Sequence, residues 1–223
     1  MRTAKAISTA LIAGALAVLG AGLADIAFSG RSAARAEAFV SPKFDVPTDE
    51  ATFAAGCFWC TESDFDKVPG VLATISGFTG GRTPSPTYEQ VSTGRTGHAE
   101  AVRVIYDPKK VTYQALLAWY WRHVDPTDGS GQFCDRGNEY RPAIFVHSAE
   151  QRSLAEKSRD ELAKSGILER PIAVEIADVT PFTAAEDYHQ DFYRKNPLRY
   201  KIYRHGCGRD QRIEQIWSKA GRS

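Results

Sequence analysis

Ala51-Thr52-Phe53-Ala54-Ala55-Gly56-Cys57-Phe58-Trp59-Cys60 decides how this chain is organised. Ala51 to Ala55 reads as a short strand. Thr61-Glu62-Ser63-Asp64-Phe65-Asp66 reads as helix, because Trp59 or Cys60 and Phe65 share an apolar face. Gly56 permits the sharp strand-to-helix bend between them. Cys57 then sits in the first helical turn, where free N–H groups and the positive end of the helix dipole favour a thiolate. The thiolate is the nucleophilic form of cysteine, so Cys57 is a candidate reactive residue. A structural disulfide or a buried, inert thiol is the plainer alternative.

Outward from this unit, residues 37–50 read as an extended segment with Pro42 and Pro47, and Val68-Pro69-Gly70 as a turn. Residues 71–76 alternate like a strand. Residues 77–98, with five glycines and two prolines, read as a long loop carrying one helical turn at 88–91. A loop of that length in a domain is more often functional than decorative. Residues 99–106 give the clearest alternating strand, and 112–123 an amphipathic helix with Tyr113, Leu116, Leu117 and Tyr120 on one face. A second glycine-rich loop spans 125–138, followed by a strand at 141–147 and a helix opened by a capping box at Ser148-Ala149-Glu150-Gln151 and running to Lys164. Residues 172–177 read as a strand, and Thr183-Ala184-Ala185-Glu186 as the cap of a helix ending at Asn196-Pro197. This order predicts one α+β domain, a mixed sheet packed with helices. The body spans 51–200 and a C-terminal tail 201–223, with a short amphipathic piece around Ile213, Ile216 and Trp217.

With 223 residues, 43% hydrophobic and 25% charged, the chain can bury one substantial core and is not of disordered composition. A net charge of +1 gives no case for nucleic-acid binding. Residues 1–36 start with Arg2 and Lys5, continue through an apolar run from Ala6 to Leu23, and end in Ala34-Arg35-Ala36. They read as a signal peptide cut after Ala36, and the protein is expected to be exported to the periplasm. If the run were retained it would be a membrane anchor. Cleavage removes four of the 28 basic residues and one of the 27 acidic residues, leaving a net charge of −2. It also removes Met1, the only methionine, so the mature chain has no thioether to oxidise. Cys57, Cys60, Cys134 and Cys207 all lie beyond the leader, and four cysteines allow three full pairings.

Gly97-His98-Ala99-Glu100 places a carboxylate at the mouth of the best strand. Glu100 alternates in phase with Val102 and Val104, which should be buried; burial would raise its pKa and fit it to donate a proton near neutrality. A frayed strand end would instead leave it solvated. Residues 132–141 are dense in polar groups, and Tyr88 and Tyr140 flank the two long loops.

Taken together these segments resemble the methionine sulfoxide reductase A family, the peptide-methionine (S)-S-oxide reductases, over residues 49–218. The most specific elements are Gly-Cys-Phe-Trp at 56–59 and Gly-His-Ala-Glu-Ala-Val at 97–102. Supporting matches include Gly77-Phe78-Thr79-Gly80-Gly81, Pro86-Thr87-Tyr88, Tyr140-Arg141 and Ala185-Glu186-Asp187-Tyr188-His189-Gln190. The resemblance implies a ferredoxin-like α/β sandwich, acting as a monomer without metal or organic cofactor. It implies reduction of methionine S-sulfoxide, free or in proteins, through a cysteine sulfenic acid and then a disulfide. Cys57 matches the nucleophile and Glu100 the acid. Tyr88 and Tyr140 match the hydroxyls that hold the oxygen, Asp135 a further carboxylate, and Phe58 and Trp59 the pocket for the substrate methyl group. A thioredoxin-like reductant would complete the cycle.

Many relatives carry resolving cysteines in a glycine-rich tail, whereas this tail has Cys207 alone. Cys207, on a mobile tail, is the expected resolver and Cys60 the second choice; Cys134 has no assigned role. Three rival readings remain at this level: a thioredoxin-like oxidoreductase using Cys57 and Cys60, a zinc site built from the four cysteines, and an exported binding domain held by two disulfides.

Overall fold

Strand β3 (Ala99–Tyr106) is largely buried on both faces and lies inside the sheet, paired antiparallel with β1 (Asp49–Ala54) on one side and β2 (Val71–Thr79) on the other. The computed structural model describes residues 42–218; the expected leader and the beginning of the 37–50 segment fall outside them. Beyond β1 lie β6 (Ala143–Val146) and then β7 (Glu175–Asp178), the latter pair parallel and joined through helix α4 (Ala149–Lys164). Beyond β2 lies the two-residue β8 (Thr183–Ala184). The result is a six-stranded mixed sheet packed with helices.

Alternation assigns the two faces. Phe53, Val102, Val104, Ile144 and Val146 point to one side, where they meet α1 (Phe58–Phe65), α3 (Tyr113–Arg122) and Ala155 of α4, while the one-turn α2 (Tyr88–Val91) lies in the connection from β2 to β3. Phe53 stacks on Phe65 at 4.8 Å and on Tyr120 at 5.2 Å. The opposite side is built from Ala54, Ala99, Ala101, Ala143 and Phe145, covered by Val179 and Phe182. Glu100 shares the helical side with Val102, so its carboxyl enters the domain beneath the start of α1.

Several boundaries differ from the sequence reading. β2 continues through Thr79, because Gly77 and Phe78 pair with Ala101 and Glu100. The 125–138 loop folds into a small hairpin, β4 (Gly131–Gln132) and β5 (Asp135–Arg136), before a 3-10 turn at Asn138–Tyr140. Ser148 caps α4 as expected, but Gln151 does not close the box; its side chain accepts from His147 N and donates to Glu50 O. The helix expected from Thr183 to Asn196 is not formed. Thr183–Ala184 pairs with β2, and only Phe192–Lys195 (α5) is helical there. Its polar residues serve distant backbone instead: Gln190 accepts from Ser76 N and donates to Ser76 O, and Glu186 accepts from Tyr88 N. Asp191, at φ 53°, breaks the helical path.

The tail is helical rather than loose. α6 (Pro197–Gly206) runs across position 200, and α7 (Arg209–Trp217) follows Gly208. Arg209 is 1% exposed, donates to Ala55 O and to His123 O at 2.9 Å, and lies 4.4 Å over the Phe133 ring. Arg212 pairs with Asp125 at 2.7 Å. The bend at Gly56 needs glycine twice over: φ is +82°, and a Cβ there would fall 2.6 Å from Gln132 Cβ. Among the described residues no helix is long and apolar enough to cross a membrane.

Arg209→Ala takes a donor from the buried Ala55 carbonyl and another from the half-buried His123 carbonyl, and empties a packed site. We expect about 3 kcal/mol of destabilisation in chemical denaturation, against under about 0.5 kcal/mol for the exposed control Lys201→Ala.

Candidate active site

Cys57 is the N-cap of α1, with φ −50° and ψ 120° and no side-chain cap bond. The next N–H, that of Phe58, donates to Glu100 Oε2 at 3.0 Å. The first free donor of the helix therefore goes to a carboxyl carried by β3, not to the sulfur. Cys57, 5% exposed, lines a cavity of about 90 Å³ with Phe58, Trp59, Tyr88, Glu100, Asp135, Tyr140 and Tyr203. The structure thus gathers the residues matched to nucleophile, acid, hydroxyls, carboxylate and methyl pocket around one small space. Tyr203 is the addition that sequence reasoning missed.

Burial sets the protonation of this space. It pushes Glu100 up to about 8, against the opposing pull of the Phe58 N–H and with a further upward push from Asp135 and Glu139. Burial also pushes the Cys57 thiol well up, assisted by Cys60 and Glu100. This reverses the thiolate expected from the helix terminus, because desolvation outweighs the dipole and the nearest N–H is already taken. Cys60 is brought down to about 7 by its hydrogen bond with Cys57 and by Arg209 and Arg204, against burial. Tyr88, Tyr140 and Tyr203 are each raised, first of all by burial. Near pH 7 the cavity therefore presents a neutral carboxylic acid and phenolic hydroxyls above a thiol. That set can protonate an incoming oxygen while the sulfur attacks.

The aromatic walls are fixed from behind. Trp59 stacks on Phe192 at 3.7 Å and donates Nε1–H to His189 Nδ1 at 3.0 Å. Burial lowers His189 to about 4, so it stays neutral and can accept through Nδ1. Tyr88 lies against the same imidazole at 4.2 Å. The stretch read as a helix cap and helix surface thus supports the pocket wall.

The second sulfur centre adjoins the cavity. Tyr203 donates to Asp135 Oδ2 at 2.6 Å, and the Cys207 sulfur lies 3.8 Å from the same oxygen. Cys207 is disulfide-bonded to Cys134, while Cys57 and Cys60 are free and buried. Tyr203 and Cys207 are four apart along α6 and its cap, a spacing that places both on one side. That spacing was available in the sequence as a signal. Among the described residues the one grouping spaced for a metal is Cys134, Asp135 and Cys207, within 4.8 Å of one another. With its sulfurs joined it offers no thiolates to an ion.

Tyr203→Phe keeps the ring edge packed on Trp59 and removes the hydroxyl that, when turned from Asp135 to the sulfur, lowers Cys57. The pH profile of Cys57 alkylation, followed residue by residue with mass spectrometry, should move to higher pH. An unchanged profile would show that the hydroxyl has no hold on the sulfur.

Residues 49–221 match the family described as peptide methionine sulfoxide reductase. The chain is 50% identical over 207 residues to the peptide methionine sulfoxide reductase MsrA 2 of Caulobacter vibrioides, covering 93% of this chain and 96% of that protein. It is 52% identical over 168 residues to the peptide methionine sulfoxide reductase MsrA/MsrB of Vibrio cholerae, where the match covers 75% of this chain but only 44% of the longer relative. The solved methionine sulfoxide reductase A of Corynebacterium diphtheriae superposes with a TM-score of 0.60 at 37% identity, over 68% of this chain and 76% of that one.

Proposed function

We infer the chemistry of this chain from one premise: it belongs to the peptide methionine sulfoxide reductase family, and it reduces methionine sulfoxide. The observation that carries the residue-level reading is the cavity in which the Cys57 sulfur, the Glu100 carboxyl and the Tyr88 and Tyr140 hydroxyls meet. The substrate is methionine S-sulfoxide, free or in proteins, with its methyl group against Phe58 and Trp59. A space of about 90 Å³ admits the sulfoxide head and little else.

The steps balance without a metal or organic cofactor. Cys57 attacks the sulfoxide sulfur while Glu100 protonates the oxygen, which Tyr88 and Tyr140 hold, and the carboxylate so formed on Glu100 takes up the Cys57 proton. The hydroxyl passes to Cys57, giving a sulfenic acid and the free thioether. A thiol then condenses with the sulfenic acid, forming a disulfide and releasing water. Cys207 is our choice for that thiol, since α6 carries it to Asp135 beside Tyr203. Attack by the Cys134 thiol on the Cys57–Cys207 disulfide regenerates Cys57 and leaves Cys134–Cys207, the pairing present in this structure. A thioredoxin-like dithiol reduces that bond, approaching through the exposed Cys134. A second order is favoured by one contact: Cys60 shares a hydrogen bond with Cys57 and could condense first. On the leader, the enzyme is an exported, monomeric repair reductase, and its reductant must also lie outside the cytoplasm.

Cys57→Ser should abolish turnover. Glu100→Gln, which retains shape but cannot deliver the acid proton, should slow single-turnover sulfoxide reduction by about 100-fold. The acid form of Glu100 prevails below about 8 and is lost above it, so the wild-type single-turnover rate should fall as pH rises through about 8. Mass spectrometry of the fully reduced enzyme after one equivalent of methionine S-sulfoxide should find Cys134 linked to Cys207. A Cys57–Cys60 link would establish the second order, and substantial turnover by Cys57→Ser would overturn the mechanism.

A further inference from the structure

A second and larger concavity, about 470 Å³, opens on the other side of the 3-10 turn that carries Tyr140. Arg82, Arg95 and Arg141 line it, with Thr96, Asn138 and a single carboxylate, Glu175. Arg141 is committed, pairing with Glu175 at 3.3 Å and donating to Asn138 O at 2.9 Å. Arg82 and Arg95 are exposed and have no acidic partner among the described residues. They stand on the two limbs of one loop, pinned together by the bond from Arg82 N to Thr96 O at 3.0 Å. Unpaired guanidinium groups facing one cleft are a standing attraction for a carboxylate, which they bind in a bidentate fork.

The floor of the cleft is built rather than incidental. A Cβ on Gly80 would fall 2.9 Å from an Arg141 terminal nitrogen, and one on Gly81 would fall 2.1 Å from His98 Nδ1. Bare backbone at both positions lets Arg141 and the buried His98 pack directly beneath. Burial and the Arg141 charge lower His98, so it remains neutral and the positive charge of the cleft belongs to the arginines.

Position names the occupant. Asn138 and Arg141 line the cleft, while Tyr140, between them, lines the catalytic cavity. Gly97 lines the cleft and Glu100, three residues on, the cavity. A polypeptide whose sulfoxide enters the cavity therefore has the cleft within a few residues' reach. We propose that the cleft binds an aspartate or glutamate side chain of the substrate polypeptide, a few residues from the methionine sulfoxide. This deepens, and rests on, the reductase reading given above.

The test is a set of octapeptides with one methionine S-sulfoxide and a single Asp or Lys at each position up to four residues away. An extended chain advances about 3.3 Å per residue, so this window covers the boundary. For wild-type enzyme with dithiothreitol, kcat/KM should favour Asp over Lys by about fivefold at the best position. The effect should lie in KM and fade at 0.5 M salt. In the Arg82→Ala, Arg95→Ala double variant the Asp-to-Lys ratio should fall to about one. Because the readout is a ratio within one enzyme, partial loss of fold does not mimic it. Free methionine sulfoxide is assayed beside the peptides. If neither is reduced, the reductase reading fails. If both are reduced and the wild-type ratio is about one at every position, or survives in the double variant, the cleft does not bind substrate carboxylates.

Discussion

The hydrogen bond from Phe58 N to Glu100 Oε2 is the constraint around which the site is arranged. A helix that begins inside a protein must place its first N–H groups somewhere, and a buried carboxyl must find donors. Here each answers the other. The bond joins the start of α1 to the middle of the sheet, so the helix entry, the β2–β3 register that sets Glu100 opposite Phe78, and the bend at Gly56 are one requirement. It also divides labour on the carboxyl. Oε2 accepts from the backbone, which assigns the acid proton to Oε1. The sulfur of Cys57 is left without a backbone donor and stays protonated until a partner draws it out.

Local patterns account for most of what could be read in advance. Alternation in 99–106 and the capped helices at 113–122 and 149–164 depend on near neighbours, and their bounds lie within a residue or so of the reading. Gly-Cys-Phe-Trp and Gly-His-Ala-Glu drew attention to the residues that meet in the cavity because an unusual side chain interrupts a regular pattern. What escaped is non-local. Glu186 and Gln190 resemble a helix cap and a helix surface, yet their partners, Tyr88 and Ser76, lie about a hundred residues away in the chain. Spacing cannot announce such a partner. Nor could it show that burial would override the helix dipole at Cys57, since the depth of a thiol depends on what the rest of the chain lays over it.

The C-terminal helices illustrate the same point. A segment with one cysteine, several basic residues and a weak amphipathic pattern reads as an appendage. In the structure it completes the site: Tyr203 closes one wall, Cys207 brings a sulfur to Asp135, and Arg209 bridges Ala55 O and His123 O. A guanidinium is suited to this work because its planar fork reaches two carbonyls while its face lies on Phe133. Trp59, Phe192 and His189 make the corresponding support on the other side.

The contact between Arg209 and Ala55 spans 154 positions of sequence. A ribosome delivers the chain from its amino end, so the turn before the nucleophile exists well before the side chain that braces it. Until α7 arrives, the sulfur at 57 belongs to an unfinished scaffold with its shielding incomplete. Completion of this site therefore waits on α7, and a chain that stopped before Arg209 would carry the reactive sulfur without that brace.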